Sequence, residues 1–208
     1  MLQLDRARGW LLDGAGRRFD AAARAWVADA AAAGGTRVSP AEAVAWLQRE
    51  SGAPLREPVG VIGPRAAGAE QLTAAEAIGV ALARMGLAVL CGGREGVMAA
   101  VARGVAKERG VVIGLLPEAD GNAANPDLSI VLATGLGEAR NAIIARASFC
   151  LVAIGESYGT LSEVALGLQF GKTVFGLTGA PVVRGVQSCA SPPAALDAVA
   201  RLVLALAG

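Results

Sequence analysis

From Val59 onward, short β-branched apolar runs alternate with Ala-rich stretches of helical period. A chain punctuated in this way folds as a parallel sheet covered by helices on both faces. The strands it predicts are "VGVIG", "LAVLCG", "VVIGLLP", "SIVLAT", "FCLVAIG" and "TVFGLT". Helices are predicted over residues 69–85, 96–108, 137–147, 160–170 and 193–207. Most of the strands end in Gly, where the chain turns easily and backbone can come close to a ligand. The fold class is therefore α/β: a Rossmann-like, doubly wound, mainly parallel sheet with helices on both faces.

Residues 1–57 break this rhythm and form a short N-terminal accessory segment ahead of a nucleotide-binding domain at 58–208, with Pro54 and Pro58 marking the boundary. "WLLDGAGRRF" reads as a hairpin turning at Asp13-Gly14. An Ala-rich helix is expected next, closing at Gly34-Gly35. In "SPAEAVAWLQRESG", Ser39 is placed as N-cap, Pro40 at the first helical position, Glu42 to complete a capping box, and Gly52 at the stop. Val44, Trp46 and Leu47 would face a partner surface, on the main domain or across a subunit interface.

Composition removes several function classes. The 208 residues are 54% apolar, enough for a real core, yet no apolar run reaches the roughly 18 to 20 residues that span a bilayer. The start, "MLQLDRARGW", lacks an apolar signal region, so a cytoplasmic protein without membrane contact is expected. Net charge is +1, with eight Lys/Arg against seven Asp/Glu in residues 1–57 and eleven against eleven in the rest. That balance, with four Phe and one Tyr, argues against nucleic acid as a partner, although DNA binding remains the third reading. Cys91, Cys150 and Cys189 are too few and too scattered for a disulfide framework or a zinc site, and no metal is expected. The chain has no His, so any catalysis must rest on carboxylates, Arg, hydroxyls and backbone dipoles.

Three strand-end segments converge if the sheet is parallel, because ligands bind outside the carboxyl ends of such strands. "IGPRAAG" brings Gly63 and Arg65. "CGGREGVMAAV" brings Gly92, Gly93 and Gly96 directly into a helix, whose free N–H groups and dipole suit an anion. "AIGESYGTLSE" brings Gly155, Gly159 and Thr160. Each has a plainer reading as a tight turn, and Arg65 and Arg94 read equally well as solvated surface. "TLSE" is a capping box in its own right, and spacing favours Glu163 as a helix cap. "GEARNAIIARAS" sets Arg140 at a helix start, where the dipole disfavours a cation. "NAANPDL" lies over the same rim as a lid or a connection.

The residues "CGGREGVM", "ANPD", "TGLGEARNAIIARAS" and "GTLSEVALGL" resemble the Rossmann-like superfamily long labelled "possible lysine decarboxylase". It includes cytokinin-activating nucleoside monophosphate phosphoribohydrolases and, most similar to this chain, molybdenum-cofactor carrier-like proteins. The resemblance runs from about Pro58 to Leu177. It implies phosphate-holding turns at Gly92–Gly96 and Gly155–Thr160, with Arg94, Met98, Thr134, Asn141 and Ser157 among the ligand-binding residues. If the chain is an enzyme, Arg140 and Glu163 match the hydrolase catalytic pair, since cleaving an N-glycosidic bond calls for a carboxylate beside an oxocarbenium-like sugar. Lysine decarboxylation has no support, because no lysine is placed to form a pyridoxal Schiff base.

One departure stands out. Where the hydrolases have Pro-Gly-Gly, this chain has Gly155, Glu156 and Ser157. A carboxylate about 4 Å from a phosphate is repelled by roughly 1 to 4 kcal/mol. Glu156 must therefore point away, bind a hydroxyl or a cation, or mark a different ligand. The expected function is binding of a phosphorylated, nucleotide-like or pterin-like molecule by a homodimer or larger homo-oligomer. Molybdenum cofactor or a nucleotide would be the bound group, with no other cofactor required. Phosphoribohydrolase action is the alternative.

Overall fold

The computed structural model describes residues 1–32 and 34–206. It divides into two compact units, Met1–Leu55 with the chain from Leu196 on, and Arg56–Ala195.

The first unit holds an antiparallel sheet of β1 (Leu2–Asp5), β2 (Trp10–Asp13), β3 (Arg17–Asp20), β4 (Ala25–Ala28) and β5 (Thr36–Val38), in the order β4-β3-β2-β1-β5. The expected β2–β3 hairpin forms. Its turn is closed by Asp13, whose Oδ1 accepts from the amides of Ala15 and Arg17, both at 2.9 Å. The Ala-rich helix expected next does not form: its residues after Asp20 make a second hairpin, from β3 to β4. Asp20 Oδ1 captures the amides of Ala22 and Ala23 and turns the chain. Phe19 then pairs with Trp26, their ring centroids 5.2 Å apart, and the Trp26 indole donates to the Leu204 carbonyl at 2.7 Å. These tertiary contacts outweigh the modest helix preference of the alanines. Helix α1 (Pro40–Arg49) starts at the expected Ser39/Glu42 capping box and lies against β1. Val44, Trp46 and Leu47 are buried within the chain.

The second unit contains β6 (Val59–Ile62), α2 (Ala69–Arg84), β7 (Val89–Cys91), α3 (Val97–Lys107), β8 (Val112–Leu116) and β9 (Ile130–Ala133). A 3-10 turn (Gly137–Arg140) leads into α4 (Asn141–Ala147), then β10 (Leu151–Ile154), α5 (Tyr158–Gln169), β11 (Val174–Leu177) and β12 (Val186–Ser188). The chain closes with α6 (Pro192–Val203). It begins one residue before the predicted 193 and ends at Val203, short of 207; Ala207 lies outside the described residues.

All seven strands are parallel, in the order β12-β11-β10-β6-β7-β8-β9. This sheet starts at β6, builds outward to β9, and then the chain returns to lay β10 on the other side of β6. β6, β7, β10 and β11 are buried along their whole length, which is why they read as unbroken apolar runs. β9 is the opposite case: an edge strand whose Ile130, Val131 and Leu132 are all exposed. β12 carries no comparable signal, because "VQS" is short and mostly exposed.

Candidate functional site

The two halves of the sheet diverge between β6 and β10, the place where an open α/β sheet leaves a crevice at its carboxyl edge. A cleft of about 650 Å³ opens there, a size that suits a cofactor. Its walls come from the turn after β6 (Gly63, Arg65), from Gly92 after β7 and Met98 in α3, from Arg140 and Asn141 where the 3-10 turn meets α4, and from residues 156–160, 162 and 163.

Two buried side chains of the cleft, Arg140 and Glu163, face each other. Arg140 Nη1 stands 3.5 Å from Glu163 Oε1, with 7% and 8% of the two side chains exposed. Burial pushes the Glu163 carboxyl up to about 8; Arg140 opposes that rise and Glu138 adds to it. Desolvation thus disfavours the ionised form of Glu163 beside the Arg140 guanidinium. Arg140 Nη1 also donates to Asn141 Oδ1, while its buried Nε has no partner among the described residues. Asn141 in turn donates through Nδ2 to Ser162 Oγ at 2.8 Å, and Ser162 donates to the Gly159 carbonyl at 2.7 Å. This relay ties the arginine to the first turn of α5. Gly92 makes room for it, since a Cβ there would lie 2.7 Å from both Arg140 Nη2 and Met98 Sδ.

Helix α5 begins two residues earlier than expected, and the reason is Ser157. Its hydroxyl accepts from the Thr160 amide at 3.1 Å and lies 2.9 Å from Thr160 Oγ1, so Ser157 is the N-cap. Glu163 is consequently no cap. It sits past the first turn, on the buried face, and points at Arg140. The first intrahelical bond runs from Leu161 N to Ser157 O, which leaves the amides of Tyr158 and Gly159 free of intrahelical partners at the cleft wall.

The remaining predicted residues sit differently. Gly93, Arg94, Gly96, Thr134 and Gly155 do not line the cleft. Gly96 has φ +68°, and a Cβ there would come within 2.2 Å of the Arg65 carbonyl oxygen; the Val97 amide beside it donates to the Pro64 carbonyl at 3.1 Å. This glycine turn therefore supports the wall bearing Arg65. Arg94 pairs with Glu118 at 3.0 Å. Thr134 donates to the Leu116 carbonyl at 2.7 Å. Gly155 packs against the Gln71 side chain.

Sequence reasoning left two supports without a role. Asn125, buried in "NAANPDL", donates through Nδ2 to the carbonyls of Gly93 and Arg94, both at 3.1 Å, and braces the glycine turn. The loop is thus a brace at that point. Ser162 carried no signal, because nothing in the sequence places it opposite Asn141.

At the mouth, Arg65 and Glu138 approach to 3.9 Å, both well exposed and weakly coupled. Glu156 lines the cleft, is exposed, and makes no hydrogen bond or ion pair among the described residues. Tyr158 lines it too and is 94% exposed. Among the described residues, no cluster of three His, Cys, Asp or Glu side chains could hold a metal ion, and no helix is long and apolar enough to cross a membrane.

A seven-stranded parallel sheet, helices on its faces and a cleft at the reversal of strand order define a Rossmann-like α/β protein. The SLOG cluster4 family model matches residues 56–198, and the chain belongs to that family. An uncharacterized protein of Archaeoglobus fulgidus is 35% identical over 139 residues, covering 67% of this chain and 91% of its own. The molybdenum cofactor binding protein of the phototrophic bacterium Rippkaea orientalis shares the structure with a TM-score of 0.68 and 32% identity, over 72% of this chain and 99% of its own. The Moco carrier protein of Chlamydomonas reinhardtii aligns with a TM-score of 0.66 and 34% identity, over 73% and 100%. The superfamily resemblance read from the motifs is borne out by these matches.

Proposed function

We propose that this chain is a carrier-type binding protein that holds a phosphorylated, pterin-like or nucleotide-like small molecule in the cleft between β6 and β10, with molybdenum cofactor as the leading candidate. The observation that carries the reading is Arg140: a buried guanidinium whose Nε has no partner among the described residues, next to a carboxyl whose ionisation burial disfavours. Such a group seeks an anion. The first amides of α5, free of intrahelical partners, lie on the same cleft, so the guanidinium and these N–H groups fit a phosphate ester. The named relatives from Rippkaea and Chlamydomonas support molybdenum cofactor as the cargo. Native mass spectrometry of freshly purified protein tests this. A bound phosphorylated pterin or nucleotide is expected, and its loss in Arg140→Ala; adducts unchanged by that substitution would overturn the assignment.

The Arg140–Glu163 pair also supports a second reading, hydrolysis of the N-glycosidic bond of a nucleoside 5′-monophosphate. The upward shift of the Glu163 carboxyl weighs against it, because the oxocarbenium-like intermediate needs a carboxylate. Release of free base from nucleoside monophosphates, rising above pH 8 and abolished by Glu163→Gln, would establish it. Assembly into a homo-oligomer in the cytoplasm completes the proposal. Light scattering on a size-exclusion column tests the assembly.

A further inference from the structure

The three carboxylates of the cleft are not equivalent. Glu163 faces Arg140 in the interior, and Glu138 has Arg65 within 3.9 Å. Glu156 alone has no partner among the described residues, and it stands exposed on the turn between β10 and α5. Two residues on, Tyr158 leaves 94% of its surface in solvent, at the start of a helix whose other large apolar side chains are at least half-buried. A bare carboxylate and a bare aromatic ring therefore share one wall of a cleft whose deep end is cationic.

We propose that Glu156 and Tyr158 form a selectivity subsite for a 2-amino-4-oxo pyrimidine ring, the heterocycle edge that pterins and guanine have in common. The proposal rests on the cleft being the binding site for a phosphorylated heterocycle. An ionised carboxylate offers only acceptors, and its two oxygens match two adjacent, parallel N–H donors. Adenine and cytosine each present one donor beside an acceptor. Uracil and hypoxanthine present a single ring N–H next to a carbonyl or C–H. Only the 2-amino-4-oxo edge sets a ring N–H beside an amino group, so Glu156 fits it with both oxygens and repels the acceptors of the others. Tyr158 supplies a π-face on which the ring stacks, covering both surfaces from water. The charge that is misplaced for a phosphate becomes the reader of the opposite end of the ligand. Arg140, with 5% exposure, holds the anionic end at depth, and Glu156 holds the heterocycle at the mouth.

The test is calorimetric titration of the full-length chain with GMP, IMP, AMP and dihydroneopterin monophosphate. GMP and the pterin phosphate should bind roughly tenfold or more tightly than IMP and AMP, the discrimination a bidentate pair supplies. Glu156→Ala and Glu156→Gln should each bring GMP down to the AMP level, and Tyr158→Ala should weaken all four. A pterin preference over GMP would identify the pterin as the natural class, and the reverse a guanine nucleotide; both outcomes uphold the subsite. Binding of all four with equal affinity, or a GMP preference that survives both Glu156 substitutions, would overturn the subsite and leave the phosphate-binding reading intact. Failure of every compound to bind would overturn both.

Discussion

Arg140 and Glu163 face each other at 3.5 Å with less than a tenth of either side chain exposed, yet burial and not the arginine decides the protonation of the carboxyl. Desolvation of a carboxylate in a dry interior outweighs one opposite charge held at the limit of hydrogen-bond distance. Ionisation of Glu163 is therefore disfavoured even beside a fixed cation.

The first consequence concerns stability. Glu163 has a folded-state value raised from 4.5 to about 8, so the folded protein binds the extra proton between those limits. Its contribution is complete below about 4.5 and is lost as pH climbs through about 8. Urea unfolding of the wild type and Glu163→Gln from pH 5 to 9 should show the wild type losing ground to the variant, by on the order of a few kcal/mol. A difference that grows in the other direction would mean that the arginine, and not burial, governs the carboxyl.

Ligand affinity should follow the same proton. When Glu163 ionises, it cancels the charge of Arg140 and repels an incoming phosphate. Binding of a nucleoside monophosphate should weaken several-fold between pH 7 and 9 in the wild type. In Glu163→Gln it should stay nearly flat. Parallel titrations of the two proteins check this directly.

Gly96 is a structural position. A side chain there must tolerate φ +68° and a Cβ 2.2 Å from the Arg65 carbonyl oxygen. Gly96→Ala should cost about 2 to 4 kcal/mol, the range for strained backbone joined to a steric clash. Because the clash falls on the wall that carries Arg65, phosphate affinity should drop along with the melting temperature. A drop in affinity with unchanged melting would contradict this account.

The three thiols should separate by reactivity. Burial raises Cys91 and Cys150 to about 12, and both are fully shielded. Cys189 is partly exposed and raised less. Titration with a thiol-reactive disulfide should modify Cys189 in the native protein and reach the other two only on unfolding.

The seven-stranded sheet was largely legible because parallel strands buried on both faces leave apolar runs with little else to mean. β12 escaped, since an edge strand of Val186, Gln187 and Ser188 needs no such run. The second N-terminal hairpin escaped because alanines advertise helix, while the contact between Phe19 and Trp26 that overrides them is visible only in three dimensions. At the site, glycines marked where the backbone bends but not which way the bend faces. Gly63 and Gly92 line the cleft, whereas Gly93 and Gly96 hold its wall from behind. Spacing alone favours Glu163 as a cap because "TLSE" and Ser157 compete to start one helix, and the hydroxyl of Ser157 wins by reaching the Thr160 amide. Glu156, whose direction the sequence leaves open, stands exposed and lines the cleft.

The neighbouring of β6 and β10 joins Gly60 to Leu151, partners about ninety residues apart along the chain. The loop between them must close before either wall of the cleft faces the other, so this site has no local precursor. A nascent chain that has emerged only as far as β9 already carries Arg65 and Gly92 but has nothing to hold them against. The cleft is thus completed only late in folding, when β10 and the strands after it have joined the sheet.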